Sequence, residues 1–213
     1  PPVALDWELD LVAHLAANGM TVPEVIPTRD GRRHAGGLVV QRRLHGRHAD
    51  SPADWELLAR ELRRLHQLTE GWPQRPGFAS IRDLLEGDRG GDVRLDRMPP
   101  AAVAACREAW RPLAGLPTTA VHGDPGVTNV VIGEAGAGLV DWDESRVDVP
   151  LLDLCWLPRE LPVEAPLPRD VLEVAGIAWE AATCWTTEPD YAAHRLDELF
   201  GRLDRGGRDR GPG

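Results

Sequence analysis

The chain has 213 residues, which suits one domain or two small lobes that share a cleft. Its formal net charge of -10 disfavours a nucleic-acid partner, because binding to phosphate needs a basic face. Three widely spaced cysteines provide neither a disulfide framework nor the paired spacing of a zinc site. Every basic residue other than histidine is Arg, so no mechanism of this chain can use a lysine.

The sequence also lacks the signals of export and of membrane insertion. No apolar run approaches the roughly 20 residues that a membrane span needs. The opening residues PPVALDWELD contain neither the basic region nor the apolar region of a signal peptide. We therefore predict a cytoplasmic protein with no membrane partner.

The first 44 residues alternate between helical and extended patterns. Over residues 4–18, Trp7 and Leu15 fall on one apolar stripe, which predicts an amphipathic helix. Residues 21–26 are predicted to be extended, and the run GLVVQ at residues 37–41 predicts a short buried strand.

The rest of the chain is predicted to be mainly helical, with short strands in its middle. A helix is expected to begin at Pro52, because Ser51 before it is a good N-cap. The segments TTAVHGD, TNVVIG and GLVDWD each place polar residues beside an apolar or β-branched run. Further helices are predicted over residues 100–113, from residue 150, and over 169–185 and 191–203, followed by a disordered tail at 206–213.

The chemistry is concentrated between residues 121 and 153. Asp124 and Asn129 lie five positions apart on one loop, and Asp141 follows 12 positions later at the end of a strand. A turn at Gly136 and Gly138 is predicted to fold that strand back and bring Asp141 beside Asn129. A carboxylate and an amide oxygen side by side suit Mg²⁺, and a second carboxylate can accept a proton from an attacking hydroxyl.

The pattern HGD-x4-N followed by DWD resembles the signature of the aminoglycoside phosphotransferase and choline kinase-like family. The segments ELDLVAHLAANGMTVPEVI, GLVVQRRLHG, LARELRRLHQL and DESRVDVPLLDL support the resemblance, which covers roughly residues 5–160. It implies an α+β, protein-kinase-like fold, with a truncated small lobe, a mainly helical large lobe and a short β-hairpin at the active site. The expected divisions are a small-lobe remnant and hinge at 1–44, the large catalytic lobe at 45–205, and the tail at 206–213.

The resemblance also implies roles for individual residues. Asp124 corresponds to the catalytic base and His122 to the residue that braces its loop. Asn129 and Asp141 correspond to the Mg²⁺ ligands, and Asp153 to a structural acid. Asp143 has three open interpretations: a substrate contact, a second metal ligand, or a solvated side chain. The nucleotide-binding residues implied for ATP are Glu8, Gln41, Arg42 and Leu44.

Each site residue also has a plain structural explanation. Asp124 and Asn129 are common turn residues, and Asp141 could be an ordinary acid at the end of a strand. Arg146 could approach a phosphate or form a surface ion pair.

The expected function is transfer of the γ-phosphate of ATP to a hydroxyl of a small molecule. The acceptor is an antibiotic such as an aminoglycoside, which would give antibiotic resistance, or a small amino alcohol or sugar; a cationic acceptor would suit the acidic chain. One alternative is a catalytically weak or dead fragment that binds nucleotide or a small molecule. Another is a metal-dependent hydrolase.

The sequence departs from the family at its beginning. No glycine-rich loop precedes Glu8, and the lysine that grips phosphate in the family is missing. We therefore expect weak activity of this chain alone, and an exposed apolar edge with poor solubility.

Overall fold

The computed structural model of the chain describes residues 2–209. Its helices are α1 Pro2–Ala17, α2 Pro52–Leu68, α3 Ile81–Leu84, α4 Pro100–Trp110, α5 Arg169–Thr183 and α6 Pro189–Asp209. Its strands are β1 Arg89–Gly90, β2 Val93–Arg94, β3 Thr119–Val121, β4 Val130–Gly133, β5 Gly136–Leu139 and β6 Arg146–Asp148. Short 3₁₀ helices cover Leu95–Arg97, Arg111–Leu113, Val127–Asn129 and Pro150–Trp156. This combination of helices and short strands confirms the predicted α+β class.

Helix α1 buries the apolar stripe that its sequence predicts. Trp7, Leu11 and Leu15 are each at most 7% exposed and lie in the same core as Leu58 of α2. The helix ends before Gly19, whose φ of +77° is a conformation that glycine adopts without strain. The N-terminal helix is thereby fixed against the body that carries the rest of the site.

The segment after α1 differs from its prediction. Residues 37–41 do not form a buried strand: Val25 and Gln41 make an isolated antiparallel bridge, and Leu38 and Val40 are 70% and 54% exposed. The run is apolar, but within residues 2–209 no second layer packs over these two side chains. Ile26 is a third exposed apolar side chain in this segment, at 40% exposure. The exposed apolar edge and the poor solubility expected from the sequence remain predictions.

Helix α2 begins as its sequence predicts. The Ser51 hydroxyl accepts a hydrogen bond from the Asp54 N–H, and the Asp54 carboxylate accepts one from the Ser51 N–H at 3.0 Å. This capping box satisfies two backbone donors that a helix start would otherwise leave free. Pro52 occupies the first turn, and the last turn carries His66 into the core.

Two antiparallel strand pairs position the polar residues predicted between residues 121 and 153. Strand β3 pairs with β6, and β4 pairs with β5 in a hairpin whose register joins Val130 to Leu139 and Gly133 to Gly136. The hairpin turn therefore lies at residues 134–135, not at Gly136 and Gly138 as predicted. Gly138 lies inside β5, where a Cβ would come within 2.8 Å of the side chains of Leu44 and Thr21.

The C-terminal third covers the other side of the core. Residues Pro150–Trp156 are a 3₁₀ helix, and α5 and α6 pack against each other and against α4. Because α6 runs to Asp209, residues 206–209 of the predicted disordered tail are helical, and residues 210–213 lie outside the described range. Within that range, no helix is both long enough and apolar enough to cross a membrane.

Candidate active site

A buried carboxylate, that of Asp153, supports the loop between β3 and β4 through hydrogen bonds to its backbone. Asp153 is fully buried and accepts hydrogen bonds from the N–H groups of His122 and Gly123, both at 3.0 Å, and lies 2.8 Å from His66 Nε2. Burial alone would raise the pKa of Asp153, but its hydrogen bonds, foremost that with His66, hold the pKa below its usual range. An ionised Asp153 fixes the backbone that leads to Asp124.

His122 is a buried part of this support. Its Nε2 lies 3.0 Å from the Val140 carbonyl, and its Nδ1 faces the Asp124 N–H at 3.4 Å. A carbonyl can only accept and an N–H can only donate, so the ring carries its proton on Nε2. Burial lowers the pKa of His122, and the neutral ring packs against Trp142, with ring centres 4.6 Å apart and planes tilted by 53°. The geometry suits a brace rather than a proton carrier.

Asp124 and Asn129 are in direct contact. Asn129 Nδ2 donates to Asp124 Oδ2 at 2.9 Å and to the Asp124 carbonyl at 3.0 Å. These two bonds occupy the amide nitrogen and turn the amide oxygen of Asn129 away from Asp124. Burial raises the pKa of the Asp124 carboxyl.

The hairpin brings Asp141 to the same place. The Val140 N–H donates to the Asn129 carbonyl at 3.0 Å, so the residue after Val140 lies beside the start of β4. Asp141 has a φ of +65°, the only positive φ of a non-glycine residue in residues 2–209. Aspartate tolerates this left-handed conformation better than most residues do, and such outliers cluster at functional sites.

A second acid, Asp143, lies close to Asp141, and the two are here called the acidic cluster. Burial and the neighbouring Asp143 carboxylate raise the pKa of Asp141. Both side chains are exposed, so the cluster opens to the surface.

The donor set fits a hard divalent cation. The carboxylates of Asp141 and Asp143 repel each other, and the Asn129 amide oxygen offers a neutral ligand nearby. Within the described residues, no three His, Cys, Asp or Glu side chains are arranged to hold a metal by themselves. A cation that keeps several ligands from water or phosphate, as Mg²⁺ does, suits such a site.

Three of the predicted nucleotide residues line one cavity. Gln41, Arg42 and Leu44 lie with Val131 and Val140 around a cleft of about 380 Å³, here called the N-terminal cleft. The Arg42 N–H donates to the Glu24 carbonyl at 2.8 Å, so this donor already has a partner within the chain. Glu8 does not line this cleft.

Glu8 is instead paired with a residue that the sequence analysis missed. Arg75 Nη2 donates to Glu8 Oε2 at 2.6 Å; the Arg75 side chain is buried and that of Glu8 is 13% exposed. Burial raises the pKa of Glu8, and the nearby acids Asp143 and Asp141 raise it further. No spacing in the sequence marks Arg75, which follows Pro73-Gln74 in an irregular loop.

A second, larger cleft is lined by Asp124. This C-terminal cleft measures about 660 Å³, and its acidic wall comprises Asp124, Glu144, Glu180 and Glu188. Its aromatic wall comprises Trp55, Trp156, Trp179 and Tyr191.

Arg146 lies behind this cleft. Its side chain is 1% exposed, pairs with Asp148 at 2.9 Å and stacks 3.4 Å from the centre of the Trp179 ring. It is therefore a buried ion pair, not the surface pair or phosphate contact that the sequence suggested.

Comparison with known proteins identifies relatives of the chain. Residues 1–196 match the family described as "Phosphotransferase enzyme family". The chain is similar to a homoserine kinase from Methylobacterium nodulans, with 30% identity over 165 residues. That alignment covers 70% of this chain and 51% of the relative, so the chain spans about half the length of the curated relative it matches.

Solved structures share the fold at low sequence identity. A choline kinase from Streptococcus pneumoniae has a TM-score of 0.64 at 14% identity, covering 94% of this chain and 80% of that one. A thermostable mutant of the aminoglycoside phosphotransferase APH(4)-Ia also has a TM-score of 0.64, at 15% identity and with coverage of 97% and 85%. An amicoumacin kinase solved with AMP-PNP and Ca²⁺ has a TM-score of 0.59 at 14% identity, with coverage of 96% and 71%. These likenesses confirm the protein-kinase-like fold that the sequence predicted.

Proposed function

The chain belongs to the phosphotransferase enzyme family, and on that premise we propose that it transfers the γ-phosphate of ATP to a hydroxyl of a small molecule. The observation that carries the proposal is the contact of Asp124 with Asn129 beside Asp141. Asp124 lines the C-terminal cleft, and Val140, the residue before Asp141, lines the N-terminal cleft. Phosphoryl transfer asks a protein mainly for placement and for neutralisation of charge. This cluster supplies both.

Asp124 is the proposed base. It lines the C-terminal cleft, where an acceptor hydroxyl can reach its carboxylate. The hydroxyl proton passes to Asp124 while the acceptor oxygen bonds to the γ-phosphorus and the bond to the β,γ-bridging oxygen breaks, releasing ADP. Asn129 holds Asp124 in place through its amide nitrogen, and His122 and Asp153 hold the loop.

Asn129 and Asp141 are the proposed ligands of Mg²⁺, and Asp143 is the candidate for a second metal or a substrate contact. Bound Mg²⁺ would supply charge neutralisation on the phosphates. The nucleotide base is proposed to lie in the N-terminal cleft, against Gln41 and Leu44.

The lining of the C-terminal cleft supports an acceptor that carries an ammonium group. Carboxylates attract the charge, and tryptophan and tyrosine faces bind cations. Choline, aminopropanol and aminoglycosides, named for the structural relatives, all fit this chemistry. An aminoglycoside acceptor would make the protein an antibiotic-resistance enzyme.

Homoserine is a second candidate, because a curated relative is a homoserine kinase. Homoserine carries a carboxylate as well as an ammonium group. Among the described residues, the side chains that line the C-terminal cleft include no Arg, Lys or His to pair with that carboxylate. This lining favours an acceptor without a carboxylate.

An acceptor panel tests the proposal. ADP release from Mg·ATP is measured with choline, aminopropanol, streptomycin and homoserine. We expect turnover with at least one of the first three, and a loss of about 10²–10⁴-fold in Asp124→Asn. Asp197→Asn, an exposed acid on α6, is the control and should keep full activity.

The outcomes separate the alternatives. Nucleotide binding without turnover of any acceptor would favour the catalytically weak or dead fragment. Turnover that survives in Asp124→Asn would overturn the assignment of the base.

A further inference from the structure

The loop between α2 and α3 joins helix α1 to the strand that follows the acidic cluster. The Pro73 carbonyl accepts a hydrogen bond from Trp7 Nε1 at 2.7 Å. Gln74 Nε2 donates to the Val147 carbonyl at 2.8 Å, and the Val147 N–H donates to Gln74 Oε1 at 2.9 Å. Two consecutive residues of the loop therefore contact elements that lie far apart in sequence.

Arg75, the next residue, makes the most extensive of these contacts. Towards α1, it pairs with Glu8 and its Nε donates to the Ala4 carbonyl at 3.2 Å. Towards the acidic cluster, its Nη1 donates to three carbonyl oxygens of the turn after Asp141. They belong to Asp143 at 2.7 Å, Ser145 at 3.0 Å and Trp142 at 3.2 Å.

The surroundings of Arg75 make these contacts costly to lose. The residue is 5% exposed, and its guanidinium lies 4.3 Å from the centre of the Phe78 ring and 5.7 Å from that of Trp7. A buried cation without its acceptors is strongly unfavourable, so guanidinium, Glu8 and the turn carbonyls stay together as a unit.

Asp141 directly precedes the turn that this unit holds. Its own side chain is exposed, and its left-handed backbone must be imposed by the residues around it. On one side it follows the hairpin, and on the other it enters the turn 142–145 that Arg75 holds.

We propose that Arg75 is a positioning residue that fixes Asp141 and Asp143 against helix α1. The inference rests on the proposed function for the role of Asp141, but the contacts stand without it. Glu8 already has a cationic partner within this chain.

Amide hydrogen exchange tests the proposal in the full chain without any ligand. In Arg75→Met, amides of the turn 142–145 and of Val147 should exchange about tenfold faster than in the unmodified chain. The matched control is Arg107→Met. Arg107 also donates to carbonyls, those of Leu84 and Gly87, and pairs with Asp88, none of which belongs to the site.

Metal affinity provides a second readout. Mn²⁺ with ADP, followed by the electron paramagnetic resonance of free Mn²⁺, should bind about tenfold more weakly to Arg75→Met than to Arg107→Met. If Arg75→Met does not fold, Arg75→Lys gives the same comparison. Its ammonium can reach Glu8 but lacks the planar set of donors that satisfies several carbonyls at once.

Hydrogen exchange and Mn²⁺ binding test different claims. Equal exchange at 142–147 in the Arg75 and Arg107 variants would overturn the positioning role. Absence of Mn²⁺ and ADP binding in the unmodified chain would instead contradict the proposed function, while the exchange result would still decide the role of Arg75.

Discussion

Two carboxylates near Asp124 have pKa values that are shifted in opposite directions. Asp153 has hydrogen bonds from His66 and from two backbone N–H groups, and these keep its pKa low. Glu144 has Arg146 nearby but lies among other acids, and burial raises its pKa to about 7. The first therefore supports the loop as a permanent anion, whereas the second changes charge near neutral pH.

This difference predicts a pH dependence of stability. The pKa of Glu144 is higher in the folded chain than its ordinary value of 4.5, so its favourable contribution is complete at low pH and is lost as pH rises to about 7. Between pH 5 and pH 8, the free energy of unfolding should therefore fall by about 2 kcal/mol less in Glu144→Gln than in the unmodified chain. Thermal unfolding at the two pH values measures this difference. Glu56→Gln, an exposed acid on α2, should leave the dependence unchanged.

The lowered pKa of His122 acts in the opposite direction, since stability from a neutral buried histidine increases as pH rises. The His122 contribution is present in the unmodified chain, in Glu144→Gln and in Glu56→Gln, so it cancels when their pH dependences are compared. An identical pH dependence in Glu144→Gln and the unmodified chain would show that Glu144 does not carry the effect.

For single residues, the sequence predicted which residues of the shared motif come together. The spacing of Asp124, Asn129 and Asp141 was sufficient to expect them together, because a loop and a hairpin fix their separation. Arg75 could not be predicted, because its partners lie about 67 residues away on both sides and only the packing of the loop unites them.

Among the elements, helices were predicted better than strands. The capping box and apolar stripe of α2 are local, so the sequence contains them in full. The buried strand at residues 37–41 was wrong because an apolar run does not reveal whether another layer covers it. The turn of the β4–β5 hairpin was misplaced because three glycines, Gly133, Gly136 and Gly138, compete for it.

The hairpin that carries Asn129 is also held by a close backbone approach. The Arg47 N–H donates to the Ile132 carbonyl at 3.1 Å, and the Ile132 N–H donates back at 2.7 Å. A Cβ on Gly46 would lie 2.4 Å from the Ile132 carbonyl oxygen and 2.8 Å from the Val131 side chain. Only glycine allows this approach without a shift.

We therefore expect Gly46→Ala to destabilise the chain by about 2 kcal/mol, because the hairpin must move to make room. Gly115→Ala is the matched control, since a Cβ there meets no atom within 4 Å, and its effect should stay within about 0.5 kcal/mol. Urea unfolding measures both. Equal effects of the two substitutions would mean that the approach of Gly46 to β4 does not constrain the hairpin.

Across the whole molecule, the site lies where three regions meet. Helix α1 and the segment behind it provide Glu8 and the N-terminal cleft, the central strands provide the acidic cluster, and α5 and α6 close the C-terminal cleft. The sequence located the acidic cluster, but it could not define the walls of the C-terminal cleft, where we propose that the acceptor binds. Glu180 and Tyr191 approach each other only because α5 packs on α6, and nothing in either helix alone distinguishes them from ordinary surface residues.

The central claim is that Asn129 and Asp141 form a metal-dependent nucleotide site. Calorimetric titration with ATP, with and without Mg²⁺, tests it most directly. The account predicts binding that requires Mg²⁺ and that weakens by about tenfold or more in Asp141→Ala. Absence of binding, binding that is independent of Mg²⁺, or equal affinity in Asp141→Ala would contradict it.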